Sequence, residues 1–357
     1  MATQEREVLS SAGGLAGTVA VESGGELGEV QEIRARGYWE QVWRRFRRDK
    51  VAIASGMFII FLFFTAFAGA PIIASILGHS PNYQFGLNAT DSGGVPVGPW
   101  THVSTSPFQG APHPGGGVWP HTLLVLGADG STGRDEFLRI LYGAQVSLEV
   151  ALGATLLAMV LGVVLGSMAG YFRGGIDTLI SRVTEITMAF PYLLFVIAIA
   201  STVGPRLNGV TFGFLGQGVV TLIVVLGLFS WFYPCRIIRA QVLSLREKEF
   251  IEAARMTGAS DARIIRSHLL PHLVAPIIVY STLIIAQFVL AEAGLSYLGL
   301  GIQLPTASWG NLLQGATDFY IEQPWLMVWP GLAVLMTTLA FNLLGDGLRD
   351  AFDPRST

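Results

Sequence analysis

Charge is scarce in this chain and cysteine almost absent. Of 357 residues, 13% are Asp, Glu, Lys or Arg, where a soluble domain carries about 25%. Hydrophobic residues make up 51%, and mean hydropathy is +0.53. That balance excludes an ordinary water-soluble protein and points to an integral membrane one. The single cysteine, Cys235, excludes an intramolecular disulfide and a multi-cysteine metal site. In an apolar run it reads as packing.

Catalytic signatures are missing too. No GxxxxGK[ST] loop occurs, so the chain is not expected to bind ATP. Neither an HExxH zinc motif nor a GxSxG elbow is present. The expectation is a non-catalytic chain without cofactor or metal. His79, His113 and His121 lack the spacing of a metal site and no nearby acid pairs with them, so they read as solvated loop histidines. The sequon Asn88-Ala-Thr90 is a pattern common by chance.

What the chain does contain is long apolar runs. A helix needs roughly 20 apolar residues to cross a bilayer. Six runs qualify: Val51–Leu77, Ala144–Tyr171, Ile180–Val203, Val219–Ile238, His272–Leu290 and Trp325–Leu344. These predict an all-α protein with six transmembrane helices. No cleavable signal peptide is expected, because the first run starts behind a long polar leader. With the N-terminus in the cytoplasm, 19 of the 22 Lys and Arg residues lie inside; only Arg134, Arg139 and Arg206 fall outside. Both termini are then cytoplasmic in a multi-pass protein of the cytoplasmic membrane.

This topology divides the chain. Residues 1–37 read as a disordered cytoplasmic tail, and 38–78 as an interfacial helix leading into the first span. Trp39, Val42, Trp43 and Phe46 recur there at helical spacing among Arg44, Arg45, Arg47, Arg48 and Lys50. Basic residues beside a span anchor it to the bilayer, which outweighs a nucleic-acid reading. Residues 79–136 form an external loop expected to be an irregular cap. Residues 137–348 hold a five-helix core with a cytoplasmic loop at 244–271, and 349–357 a cytoplasmic tail.

Within the spans, Gly162, Gly166 and Gly170 permit close helix packing, inside the subunit or against a second one. Pro191 is expected to kink the third span, as a static bend or a gating hinge. Glu149, Glu185 and Glu292 lie near span ends, which argues against a midplane proton relay. Glu292 borders the partly polar external segment AEAGLSYLGLG and is the acid to watch for gating.

The cytoplasmic loop has structure of its own. Glu249 to Pro271 reads EFIEAARMTGASDARIIRSHLLP, two short helices around a glycine. Phe250, Ala253, Ala254 and Thr257 fall on one small, mostly apolar face. Gly258 suits a helix end at positive φ, Ser260 and Asp261 suit the next start, and Pro271 is expected to open a further apolar helix. Small residues on the first face allow close approach by another protein.

That loop resembles the EAA motif of permease subunits of bacterial ABC importers. Glu252-Ala253-Ala254 precede Gly258 at the family's spacing, and Leu270-Pro271 close the pattern. His268 stands where Ile is usual, a departure similar to the branch that carries peptides and nickel. Gly133-Arg134-Asp135 with Leu141-Tyr142-Gly143-Ala144 resembles that branch's signature before the second span, with Gln145 replacing an Arg. LSYLGLG (295–301), PTASWG (305–310) and FNLLGDGLRDAFDP (341–354) are similar to its later segments. The resemblance runs from Trp39 to Arg355 and is strongest to the second permease of dipeptide and oligopeptide importers.

The resemblance implies the type I ABC importer permease fold (MetI-like). It implies a heterodimer with a homologous permease, two ATP-binding subunits that hold ATP and Mg2+, an extracytoplasmic peptide-binding protein, and a peptide substrate. Glu249, Glu252, Ala253, Ala254, Arg255, Gly258, Ala259, Asp261, His268, Leu270 and Pro271 become the ATPase-coupling loop, with Glu252 facing a basic residue of the ATPase. Alternatives are a nickel-chelate or glutathione importer permease of the same branch, or an ion-coupled secondary transporter working alone.

Overall fold

The computed structural model describes residues 38–104, 121–130, 132–207 and 218–353. The expected disorder of 1–37 lies outside the described residues, as does His113. The first helix, α1 (Tyr38–Phe46), leaves Trp39 and Trp43 exposed. Asp49 then caps α2 (Lys50–Phe64), its carboxylate accepting from the Val51 and Ala52 amides at 2.9 and 3.1 Å. A π-helical turn at Thr65–Gly69 joins α2 to α3 (Ala70–Leu77), one turn before Pro71, which has no N–H to donate. Left-handed Gly78 stops the span at φ 77°.

The cap follows. Strands β1 (Thr101–Ser104) and β2 (His121–Leu124) pair antiparallel, as do β3 (Ala128–Asp129) and β4 (Arg134–Asp135). Phe85, Ala89, Val103, Leu124 and Ala128 form its small core.

Helix α4 (Glu136–Phe172) is the central pillar. At 37 residues it is about 55 Å long, well beyond the bilayer's apolar core. Around it stand α5 (Gly174–Ala189), α6 (Tyr192–Leu207), α7 (Val219–Leu228) and α8 (Phe232–Leu245). Leu148, Ala151 and Ala154 of α4 share a core with Leu222 and Val225 of α7. The glycine ladder decides its own role here: a Cβ on Gly162, Gly166 or Gly170 would come within 2.6, 2.6 and 2.8 Å of Pro234, Cys235 and Val242. It serves packing inside the subunit, and Cys235 is buried in that seam.

Helix α9 (Glu249–Met256) precedes α10 (Asp261–Arg263). From there the chain runs without a break through a π-helical turn (Ile264–Leu269) into α11 (Leu270–Tyr297), a single 37-residue helix. Pro271 stands in the first turn of α11, as expected, but the π turn before it makes that start continuous with α10. Ile284, Phe288 and Val289 of α11 complete the core beside α4. Short α12 (Trp309–Ala316) and long α13 (Trp325–Phe352) close the bundle.

Four helices are continuous spans, and α5–α6 and α7–α8 are bent pairs that make six if each crosses once. Pro191 sits in a full break rather than a kink. Phe190 is extended at ψ 139°, and α5 and α6 meet at 87°. The expected tail at 349–357 is helical up to Phe352. Its end receives α1: Arg45 Nη1 donates to Asp353 O at 2.6 Å, and Trp39 meets Phe352 edge-on at 6.0 Å.

Candidate coupling loop and cap-end clasp

The chemistry of the chain gathers at the two ends of the bundle. At one end, α9 closes in a Schellman motif. The Ala259 amide donates to Ala254 O at 3.0 Å, and the Gly258 amide to Arg255 O at 2.9 Å. Gly258 is left-handed at φ 79°, and nothing lies within 4 Å of its missing Cβ. The turn is set by backbone conformation alone.

Two apolar side chains seat α9. Ile251 and Ala254 are buried against Ile264, Leu269, Leu273 and Val242. Ala254 thus faces inward, correcting the expectation that it shares a docking face with Ala253. Burial of Ile251 outweighs the small-residue pattern, because a β-branched side chain hides more apolar surface than alanine. The outer face carries Glu249, Phe250, Glu252, Ala253, Arg255, Met256 and Thr257. Met256 is 88% exposed, and nothing in the sequence distinguished it from a core methionine.

Polar stitches hold the loop to the bundle. Arg246 Nη1 donates to Tyr171 O at 2.6 Å, and Tyr171 Oη donates to Asp261 Oδ1 at 2.6 Å. The Arg255 guanidinium lies over the Tyr171 ring at 5.4 Å, and Phe250 stacks near His272 at 5.0 Å. The loop is therefore tied to the end of α4 and the start of α11. Ala259, His268 and Leu270 are half-buried; Pro271 is exposed. Among the described residues Glu249 and Glu252 make no ion pair. Both stand in the first turn of α9, where the helix dipole favours acid.

The opposite end holds a clasp. Asp135 caps α4 through the Leu138 amide at 3.2 Å, and its other oxygen lies 2.9 Å from His79 Nε2. His79 is 3% exposed. It is not a solvated loop histidine, and the acid it pairs with is 56 residues away in sequence. Asp129 sits 2.6 Å from Arg139 Nε and 3.1 Å from Arg134 Nη2. Arg139 also donates to Asn82 Oδ1 and Pro305 O. Cap, α4 and the segment before α12 meet at this one guanidinium.

Glu292 lies deeper in the same region and is fully buried. Ser147 Oγ and Ser296 Oγ donate to its two oxygens at 2.6 and 2.7 Å. It is held between α4 and α11, not placed on a flexible external segment. Nearby, Trp309 Nε1 donates to Ile140 O at 3.1 Å, over Gly143. No three His, Cys, Asp or Glu side chains converge as metal ligands among the described residues.

Residues 162–357 match the binding-protein-dependent transport system inner membrane component family, and 37–91 match the N-terminal TM domain of oligopeptide transport permease C. The chain belongs to this inner-membrane permease family. It is 36% identical over 329 residues to the oligopeptide transport system permease protein OppC of Salmonella typhimurium, covering 92% of this chain and 94% of that protein. It is 35% identical over 317 residues to the dipeptide transport system permease protein DppC of Alkalihalophilus pseudofirmus, covering 89% and 90%. A solved MetNI methionine ABC transporter is similar at 17% identity, with a TM-score of 0.48 over 60% of this chain and 96% of that one. In this permease the family signatures fall at both ends. The EAA-like segment forms α9 and the turn after it, and Gly133-Arg134-Asp135 forms the clasp and the cap of α4.

Proposed function

We propose that this chain is one of two permeases of an ATP-driven importer that carries di- and oligopeptides across the cytoplasmic membrane. Likeness to OppC and DppC over about nine-tenths of both chains carries this reading. The partners are a homologous permease, two ATP-binding subunits that hold ATP and Mg2+, and an extracytoplasmic peptide-binding protein. Both termini and the α9 loop face the cytoplasm, in line with the 19-to-3 division of basic residues.

In this reading α9 seats in a groove on one ATPase. Glu249 and Glu252 offer unpaired carboxylates to basic residues there, and Ala253 lets the surfaces close. Stitching to α4 and α11 makes the loop a lever, so a rigid-body shift of the ATPase moves both spans together. Reconstitution with the partner subunits tests this. Glu252→Lys and Gly258→Asp should leave the permease in the membrane but abolish substrate-stimulated ATPase activity. Survival of both that activity and ATPase co-purification sinks the docking role. Peptide transport by the purified chain alone sinks the ABC reading.

A further inference from the structure

Two backbone breaks in the bundle lie side by side and open on one cavity. The first separates α5 from α6 at Phe190 and Pro191; the second separates α7 from α8 around Ser230. Ser230 Oγ donates to Tyr192 Oη at 3.0 Å and joins the two. The cavity, about 330 Å3, is lined by Tyr192, Ser230 and Tyr233 at the breaks and by Tyr280, Gln287 and Phe288 of α11. Tyr280 and Gln287 share a stripe of α11, about 10 Å apart along its axis.

This face differs from the rest of the bundle's exterior. Outward positions on the other helices are mostly apolar, as at Leu156, Leu194 and Leu335; exposed Ser201 and Thr202 bond back to Ala198 O, and Asn342 of α13 is exposed as well. Here Gln287 and Tyr233 are exposed. An amide left unpaired in hydrocarbon is strongly disfavoured. Non-helical backbone at membrane depth is tolerated only where protein covers it or water reaches it. Two independent observations, the exposed polar side chains and the paired breaks, therefore exclude lipid from the same spot.

We propose that Tyr192, Tyr233, Tyr280 and Gln287 line the translocation path and hold the main chain of the passing peptide. This rests on the peptide-import reading above. Tyrosine and serine hydroxyls both donate and accept, and a glutamine amide presents the same donor and acceptor as a peptide bond. Among the described residues no Asp, Glu, Lys or Arg lines the cavity, so side-chain charge goes unread there. The ligand class is a short extended peptide recognised through backbone amides.

The full assembly in proteoliposomes tests this in two ways. Cys235 is buried, so an introduced thiol on this chain can be read with a charged, membrane-impermeant thiol reagent. Gln287→Cys and Tyr233→Cys should react about tenfold or more faster than Leu156→Cys, since the reactive thiolate needs water. Tri-alanine should slow both. Equal rates overturn the path, and labelling that tri-alanine leaves unchanged overturns the ligand.

Gln287→Glu should raise the uptake ratio of Ala-Lys-Ala over Ala-Glu-Ala by about tenfold relative to the unmodified assembly, as a fixed charge in a poorly solvated site requires. An unchanged ratio with import retained overturns the main-chain assignment. If the unmodified assembly imports none of these three peptides, the peptide reading itself falls. The labelling rates then still decide whether this face is wet.

Discussion

The two ends of the bundle treat charge in opposite ways. At the cap end, Asp129, Arg134, Asp135, Arg139 and Glu292 are buried and matched within the chain, and Glu136 is buried beside them with one carboxyl oxygen unpartnered. At the loop end, Glu249, Glu252 and Arg263 are exposed, and none makes an ion pair among the described residues. Burying a charge is tolerable only when its partners are in place. An exposed charge costs little and is open to an outside partner. The cap end therefore belongs to the fold, and the loop end presents a surface.

Substitutions can break this contrast, and the largest effect belongs to the clasp. Asp129→Ala strands two buried guanidinium groups and should destabilise the permease by about 3–5 kcal/mol. A thermal midpoint in detergent that hardly moves would show the clasp is not structural. Ile251→Ala, which empties the seat of α9, should cost about 3 kcal/mol. Because that seat is local, proteolysis between α8 and α10 should rise before the midpoint falls.

The seam between α4 and α8 is next. Gly166→Ala puts a methyl 2.6 Å from Cys235 O, and overpacking of this kind should cost about 2 kcal/mol. The same change at Gly258, where space is open, should cost about 1 kcal/mol through its left-handed backbone alone. Equal midpoints for the two variants would remove the seam from the account. The smallest stability effect belongs to Glu252→Ala, about 0.5 kcal/mol or less. Its effect should appear instead as weaker ATPase co-purification. A large stability loss there would mean that the loop end, too, is internal structure.

Much of this architecture was legible in the chain. The apolar runs located the four continuous spans and both bent helix pairs, because a bilayer demands about 20 apolar residues wherever a helix crosses. The turn at Gly258 was legible because few other residues adopt positive φ freely. The face of α9 was not. Small residues at helical spacing fit either a docking stripe or a buried stripe, and Ile251 decided for the second by seating its own side of the helix. His79 was misread for a related reason: Asp135 lies 56 residues away, and no local pattern shows a pairing across a cap.

Pro191 marks the same boundary in another form. A proline inside an apolar run predicts a disturbance, but only the packed bundle shows a full break facing a second break across the Tyr192–Ser230 hydrogen bond. Composition and periodicity by themselves determined that this is a six-run helical membrane protein with a structured, charged loop. Those properties follow from how each residue meets lipid or water, one at a time. Tertiary structure alone decided which charges are matched, which glycines are filled against and which polar side chains share a cavity. Each of those depends on a neighbour from another helix, and linear order does not carry that distance.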